Sequence, residues 1–393
     1  MMKHFSRLFF YLLLLFSLLT AKDFKKIHEK AIVVDTHNDV LLRAMEGEDL
    51  SIRTANGHSD VVRLKEGGVD VQIFSVWCGG NFGKGRAFKR AIEMIDTLEA
   101  IISRSGGKML LVKTPKELEK ALKQNKIAAL IGVEGGHMIE DSLEYLDQLA
   151  KRGMRYMTLT WNNSTSWATS AADETKKGDS LESKGLTEFG KKVIRHMNTL
   201  GVMVDLSHVG ERTFWDAINT TAKPVIVSHS SVYNICPGSR NLKDDQIKAV
   251  AKNKGVVCVN FYSGFIDSTY SERVQAVRKE NKAIVDSIRN SHQEHYRMEA
   301  MIDSALAPKY NEVRPPLSLL IDHIDYIAKL VGVDYVGLGS DFDGIESLPQ
   351  EMDDVTFLPN ITRELLKRGY AEKEVRKILG ENVIRVFKAN EQR

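Results

Sequence analysis

Eight short runs of β-branched and apolar residues, each bounded by turn signals, recur along the chain at 32–36, 69–77, 127–133, 155–160, 202–206, 225–227, 256–261 and 335–338. Amphipathic helical stretches separate most of them, for example 84–102, 142–152 before Gly153, and 186–200 with Thr187 as N-cap and Gly201 just past the end. Strands alternating with helices, with no second type of composition, predict one α/β domain, a (β/α)8 TIM barrel. The structural rival is a doubly wound sheet, but no G-x-G-x-x-G follows the first run. A length of 393 residues fits one large barrel with insertions. A 43% hydrophobic and 27% charged composition excludes disorder through the whole chain. A net charge of +3, with no basic stripe interleaved with aromatics, excludes nucleic acid as a partner.

In barrels of this type the working surface lies at the C-terminal ends of the strands. The first run leads into Asp35-Thr36-His37-Asn38-Asp39, the third into Glu134-Gly135-Gly136-His137 and the fifth into Ser207-His208. The sixth leads into Ser228-His229-Ser230 and the eighth into Gly339-Ser340-Asp341-Phe342-Asp343-Gly344. Imidazoles and carboxylates converging on one barrel mouth are costly unless compensated, and metal ions are the simplest compensation. His37 and Asp39 are two residues apart at a strand end, so a period of two turns both toward one ion. His208 and His229 end neighbouring runs and suit a second ion. Glu134 lies between the two sets in barrel order and is placed to bridge them. These nitrogen and oxygen donors suit two Zn2+ ions with positions left for water and substrate. Cys78, Cys236 and Cys258 lack C-x-x-C spacing, so thiolate ligation is not expected, and sequence alone does not pair them. His28, His58, His196, His292, His295 and His323 fall on expected helices or loops and are read as surface or packing residues, and His137 as structural.

Lys3, His4 and Arg7 precede an apolar run at 8–19, followed by Thr20-Ala21 and the charged Lys22-Asp23. This pattern predicts a secretory signal peptide over 1–21, leaving 22–393 as a single catalytic domain. The apolar run is short for a spanning helix, which needs roughly 20 residues; an uncleaved membrane anchor is the alternative. No cysteine follows the run, against a lipoprotein, and residues 386–393 are polar, against a GPI-type tail. Sequons occur at Asn162, Asn163, Asn219 and Asn360. Two of them fall in a loop at the expected site, where a glycan would be awkward. The expected location is therefore exported, periplasmic or secreted, with bacterial export favoured.

Seven segments carry a family resemblance: Val34 to Asp39, Gly132 to Gly136, Asp205 to His208, Val227 to Ser230, Cys236-Pro237 with Ser239-Arg240-Asn241-Leu242, Val259 to Tyr262, and Gly337 to Gly344. In type and order, over nearly the whole mature chain, the sequence resembles the renal or membrane dipeptidase family, peptidase family M19 of the amidohydrolase-like barrels. The resemblance implies a zinc dipeptidase acting on free dipeptides, including those with a C-terminal D-residue, by attack of a zinc-bridging hydroxide. His37 and Asp39 would bind the first zinc, His208 and His229 the second, with Glu134 bridging. Arg240 would hold the substrate's C-terminal carboxylate, which its guanidinium fork suits. Asp341 would take a proton from the attacking water and pass it to the leaving amine. Tyr262 is expected to line the pocket.

The chain departs from the family at one place. Animal members carry a histidine directly after the Thr-Leu-Thr of the fourth run, whereas here Thr158-Leu159-Thr160 leads into Trp161-Asn162-Asn163. Trp161 is then expected to pack on substrate, and Asn162 or Asn163 to donate a hydrogen bond to the oxyanion. The polar loop 162–185 is placed to form a pocket wall or lid. The long stretch 263–316 reads as a helical insertion after the seventh strand that either covers the site or forms a homodimer contact. Two rivals remain at this stage. Another binuclear amidohydrolase, acting on N-acyl amino acids or lactams, would keep the metals but strip Arg240 of its meaning. A non-enzymatic surface-binding relative would be expected to have lost ligands, and all five positions are filled.

Overall fold

The computed structural model describes residues 24–290 and 295–391, so the expected signal peptide lies outside the described residues. Nine strands form: β1 Val33–Asp35, β2 Val69–Trp77, β3 Met109–Leu111, β4 Ile127–Glu134, β5 Met154–Thr158, β6 Met203–Asp205, β7 Ile226–Val227, β8 Val256–Val259 and β9 Val336–Leu338. Eight of them follow one parallel path, β1-β2-β4-β5-β6-β7-β8-β9. The ends of the path meet: Thr36 N donates to Leu338 O at 3.2 Å and Asp39 N to Phe342 O at 2.8 Å. The architecture is the expected α/β TIM barrel.

The ninth strand corrects the count read from the sequence. β3 pairs with residues 127–129 of β4, below the point at which β5 joins the same edge at Ile131. Only three residues long, it occupies an edge that β5 leaves bare. The burial of β4 explains why it reads as an unbroken apolar run: all eight residues of IAALIGVE are buried, as in parallel sheets covered on both faces.

The helices between the strands carry the local signals that their sequences predict. Helix Ala87–Arg104 buries Ala87, Ala91, Met94, Ile95, Leu98 and Ile101, one apolar stripe at helical spacing. Thr187 caps helix Glu188–Leu200 through Gly190 N, and Gly201 ends it at φ 69°. Between β8 and β9 the chain inserts helices Ser263–Ile266, Tyr270–Glu280, Lys282–Arg289 and His295–Glu312 before Leu317–Val331 returns to the barrel. The insertion has a small core of its own, with Val277, Val285, Ile302 and Leu306 buried. Cys78, Cys236 and Cys258 are buried and free. Among the described residues no helix is long and apolar enough to cross a membrane.

One interior contact shapes the site above it. A Cβ on Gly132 would lie 2.5 Å from the Tyr156 hydroxyl and 2.1 Å from its ring. Glycine in β4 thus lets the Tyr156 side chain of β5 cross the barrel interior toward β1.

Candidate active site

The strand ends converge on Glu134, the last residue of β4. Its Oε2 lies 3.5 Å from His37 Nε2, and its Oε1 lies 2.8 Å from His208 Nε2 and 3.4 Å from His229 Nε2. His37 Nε2 is also 3.4 Å from Asp39 Oδ2, and the two Nε2 atoms of His208 and His229 face each other at 3.0 Å. All five side chains are buried. Two donors each about 2.0–2.2 Å from one tetrahedral ion lie roughly 3.3–3.6 Å apart, close to most of these separations. Asp341 joins His37 and Asp39 in one cluster of ligand-type atoms, and His37, Glu134 and His229 form another.

The hydrogen bonds behind the imidazoles decide which nitrogen faces the cluster. Tyr156 OH lies 2.8 Å from His37 Nδ1 and donates its own proton to Thr36 O at 3.1 Å, so it accepts from Nδ1–H. Ser228 Oγ donates to Asp205 Oδ2 at 2.6 Å and therefore accepts from His229 Nδ1–H at 2.8 Å. Asn162 Oδ1, an acceptor only, takes the proton of His208 Nδ1 at 3.1 Å. Each ring thus turns its Nε2 toward the carboxylates, bare in His208 and His229, the arrangement that metal-binding histidines require. Lone pairs facing one another at 3.0 Å repel unless a cation stands between them. The buried Nε2 of His37 and Oδ1 of Asp39 have no hydrogen-bond partner, which marks the same need. The residues fit a metal.

The electrostatics agree. Burial lowers the pKa of His208 to about 4, with Arg240 acting in the same direction, and holds that of His229 well below 6.5. Burial opposes charge on Glu134, but the positive charge on His37 and the neighbouring imidazoles outweigh it and hold the carboxyl well below its usual pKa. Burial also opposes a proton on His37; Tyr156, Glu134 and Asp39 reverse the balance and raise its pKa well above 6.5. A positive charge is demanded at the point where His37 Nε2 meets the carboxylates, and a divalent cation answers that demand more fully than a proton.

Asp341 follows β9 with φ 62°, and His208 holds φ 63°, left-handed values unusual for such residues and frequent at functional sites. Burial pushes the Asp341 carboxyl up to about 8, with Asp39 and Glu134 adding to burial and His37 opposing. Its Oδ2 accepts from Asn260 Nδ2 at 2.8 Å. A cavity of about 450 Å³ opens over the cluster, walled by Asp39, Glu134, Trp161, Arg240, Tyr262 and Asp341 among others. Arg240 donates to Ser230 Oγ at 3.2 Å and to His229 O at 3.3 Å, lies over the Phe265 ring at 5.5 Å, and forms no ion pair with a described residue. Burial lowers its pKa to about 10, which leaves it charged. Trp161 packs edge-on against Trp77 at 4.9 Å.

Asn163 lies apart from the residues that wall the cavity. A Cβ on Gly80 would lie 2.4 Å from its Cγ, so its side chain packs there instead. Its neighbour Asn162 does line the cavity, but its oxygen is committed to His208. His137 bonds Cys78 O at 3.0 Å, and His323 accepts from Val232 N and reaches Ile266 O, each at 3.0 Å, so both act in packing. Tyr156, Ser228 and Asp205 were not singled out from the sequence as supports of the ligands. The signal available was a serine directly before His229 and an aspartate at the end of the preceding strand.

A (β/α)8 barrel whose strand ends gather three imidazoles with buried carboxylates, under a cavity walled by an arginine without an acidic partner, defines a metallohydrolase. The sequence model of the membrane dipeptidase family, peptidase family M19, matches residues 21–393. An uncharacterised dipeptidase of Schizosaccharomyces pombe is 35% identical over 392 residues, covering 95% of this chain and 84% of that one. The chain belongs to peptidase family M19, the membrane dipeptidases, and is a metallo-dipeptidase. Solved structures share the fold. The dipeptidase AC of family M19 matches with a TM-score of 0.74 at 23% identity, over 92% of this chain and 99% of that one. A Rhodobacter sphaeroides metallopeptidase, solved with a phosphinate mimic of L-Ala-D-Ala, gives 0.73 at 22% identity, over 92% and 100%. The probable dipeptidase PvdM of Pseudomonas aeruginosa gives 0.77 at 20% identity, over 95% and 98%.

Proposed function

We propose that this chain hydrolyses free dipeptides, L,D as well as L,L, with two zinc ions, one held by His37 and Asp39, the other by His208 and His229, and both by Glu134. The observation that carries this reading is the split Glu134 carboxylate, one oxygen facing His37 and the other facing His208 and His229. When bound, such a metal pair supplies an activated water and polarises the scissile carbonyl.

The chain's own residues do the rest. Arg240 takes the C-terminal carboxylate in a bidentate pair, which its lack of an acidic partner leaves it free to do. Fixed on the backbone of His229, it sets a short span between carboxylate and cluster, so the bond presented is the one that joins the C-terminal residue. Asp341, which sits beside His37 and Asp39, accepts a proton at its carboxylate and returns it to the leaving amine. Asn260 orients it through Oδ2. Trp161 and Tyr262 form cavity walls against the substrate. The leader-like residues 1–21 support export to a periplasm or the exterior.

The test is metal analysis together with a panel of L,L- and L,D-dipeptides, a tripeptide and an N-acyl amino acid. About two zinc per chain and turnover of free dipeptides only is the expected result. Turnover of the acylated compound alone would overturn it.

A further inference from the structure

Resting on that dipeptidase reading, we propose that Glu346 is a specificity-determining residue that selects dipeptides whose N-terminal residue has a basic side chain. The cavity over the cluster shares two wall residues, Tyr262 and Glu346, with a second cavity of about 600 Å³. The second cavity lies between insertion helices Tyr270–Glu280 and His295–Glu312 and the loop after β9, with Tyr270, Tyr310 and Leu348 in its wall. A side chain that leaves the first cavity past Tyr262 and Glu346 enters it.

The charges in this second cavity are otherwise engaged. Arg278 pairs with Asp303 at 2.6 Å and Arg314 with Asp353 at 2.6 Å, while His58 Nδ1 accepts from Asp343 N at 2.9 Å. Glu346 is exposed and makes no hydrogen bond or ion pair with a described residue. Its position is nonetheless fixed from both sides. Gly344 N donates to Asp341 O at 3.1 Å, while Ser347 O accepts from Ser263 N at 2.9 Å and Ser347 Oγ donates to Ser263 Oγ at 2.8 Å. A carboxylate on a backbone already held loses less freedom when it engages a ligand.

Direction follows from the barrel order. Arg240 follows β7 and rests on the carbonyl of His229; Glu346 follows β9, two residues beyond Gly344, which packs on Asp39 and Asp341. A dipeptide with its C-terminal carboxylate on Arg240 therefore runs its N-terminal residue toward Glu346. The methylene stem of a lysine or arginine side chain suits the tyrosine-lined passage, and its cation suits the free carboxylate.

The experiment compares kcat/KM for Lys-Ala, norleucyl-Ala and Glu-Ala on the zinc-loaded wild-type enzyme and on Glu346→Gln and Glu346→Lys, at low and high salt. Wild type is expected to prefer Lys-Ala over norleucyl-Ala by up to about fivefold at low salt, as an exposed ion pair allows, and by less at high salt. Glu346→Gln should abolish that ratio with norleucyl-Ala turnover unchanged, and Glu346→Lys should favour Glu-Ala. No preference in wild type, or an equal loss on Lys-Ala and norleucyl-Ala in Glu346→Gln (the mark of α-ammonium binding), overturns the assignment while leaving the dipeptidase reading intact. Absence of turnover on every dipeptide overturns both.

Discussion

The hydroxyl of Tyr156 accepts from His37 Nδ1 at 2.8 Å and donates its own proton to Thr36 O at 3.1 Å, so a neutral phenol in β5 turns Nε2 of a candidate ligand just past β1 toward the cluster. Burial raises the Tyr156 pKa, which keeps the phenol neutral. Tyr156→Phe leaves His37 Nδ1–H without a partner and frees the ring to rotate. Losing such a support costs about 10–100-fold in metal affinity. Competition with a chelator should show one of the two ions released that much more readily, while a circular-dichroism spectrum stays that of wild type.

His229 is held differently, through Ser228 to Asp205, whose carboxylate also accepts from Thr158 Oγ1 at 2.5 Å, Ser228 N at 2.9 Å and Ser207 N at 3.1 Å. Ser228→Ala removes the acceptor of one buried N–H and one of the donors to Asp205, at a cost of about 1–3 kcal/mol. The expected variant unfolds at lower denaturant and binds the ion of His208 and His229 more weakly. Unchanged affinity for both ions would show that His229 does not depend on this hydrogen bond.

Arg240→Lys is not a conservative change, because an ammonium cannot form the two-pronged pair. Charge-assisted hydrogen bonds of this kind contribute about 1.5–3 kcal/mol, so kcat/KM for dipeptides should fall roughly ten- to hundredfold. Zinc content should remain that of wild type, since among the described residues Arg240 bonds only Ser230 Oγ and His229 O. Loss of metal in step with activity would reassign Arg240 to support of the cluster.

Removing the metal should make stability fall as pH rises from about 6.5 to 8. The Asp341 carboxyl and the His37 imidazole both have folded pKa values above their unfolded ones, so the folded chain holds more protons in this window. Their contribution is complete below the unfolded values and is lost as pH climbs through the folded ones. His208 and His229 are shifted downward and oppose this slope only until their unfolded imidazoles have lost their protons, about one pH unit above 6.5. Denaturant midpoints of the chelator-treated protein at pH 6.5 and pH 8 test this, and zinc should flatten the slope. A metal-free protein more stable at pH 8 would contradict the sign.

Much of this site is legible in the chain because ligands at strand ends follow a local rule: a β-branched run stops and a histidine, aspartate or glutamate comes next. His37, Asp39, Glu134, His208 and His229 obey it, and the fold brings them together. What holds those ligands does not obey it. Tyr156 lies in mid-strand, where the sequence shows only an aromatic in an apolar run, and its reach to His37 depends on a glycine at position 132 of the adjacent strand. Asn162 and Asn163 are chemically identical neighbours, and only the path of the loop decides which of them meets the cavity. β3 escapes notice because three residues, Met109–Leu111, are too few to show a period.

The seam between β1 and β9 closes directly before His37 and Asp341: Ser340 N and Oγ bind the two oxygens of Asp35, 305 residues away, at 2.8 and 2.7 Å. Synthesis at about 5–20 residues per second separates the emergence of these two partners by roughly fifteen seconds to a minute. During that interval His37 and Asp39 have no Asp341 beside them, so a nascent chain carries an incomplete site however much of the barrel has formed. With Asp341 in its proposed role, peptide-bond cleavage waits for the last strand, and no separate inhibitory segment is required to keep an unfinished chain silent.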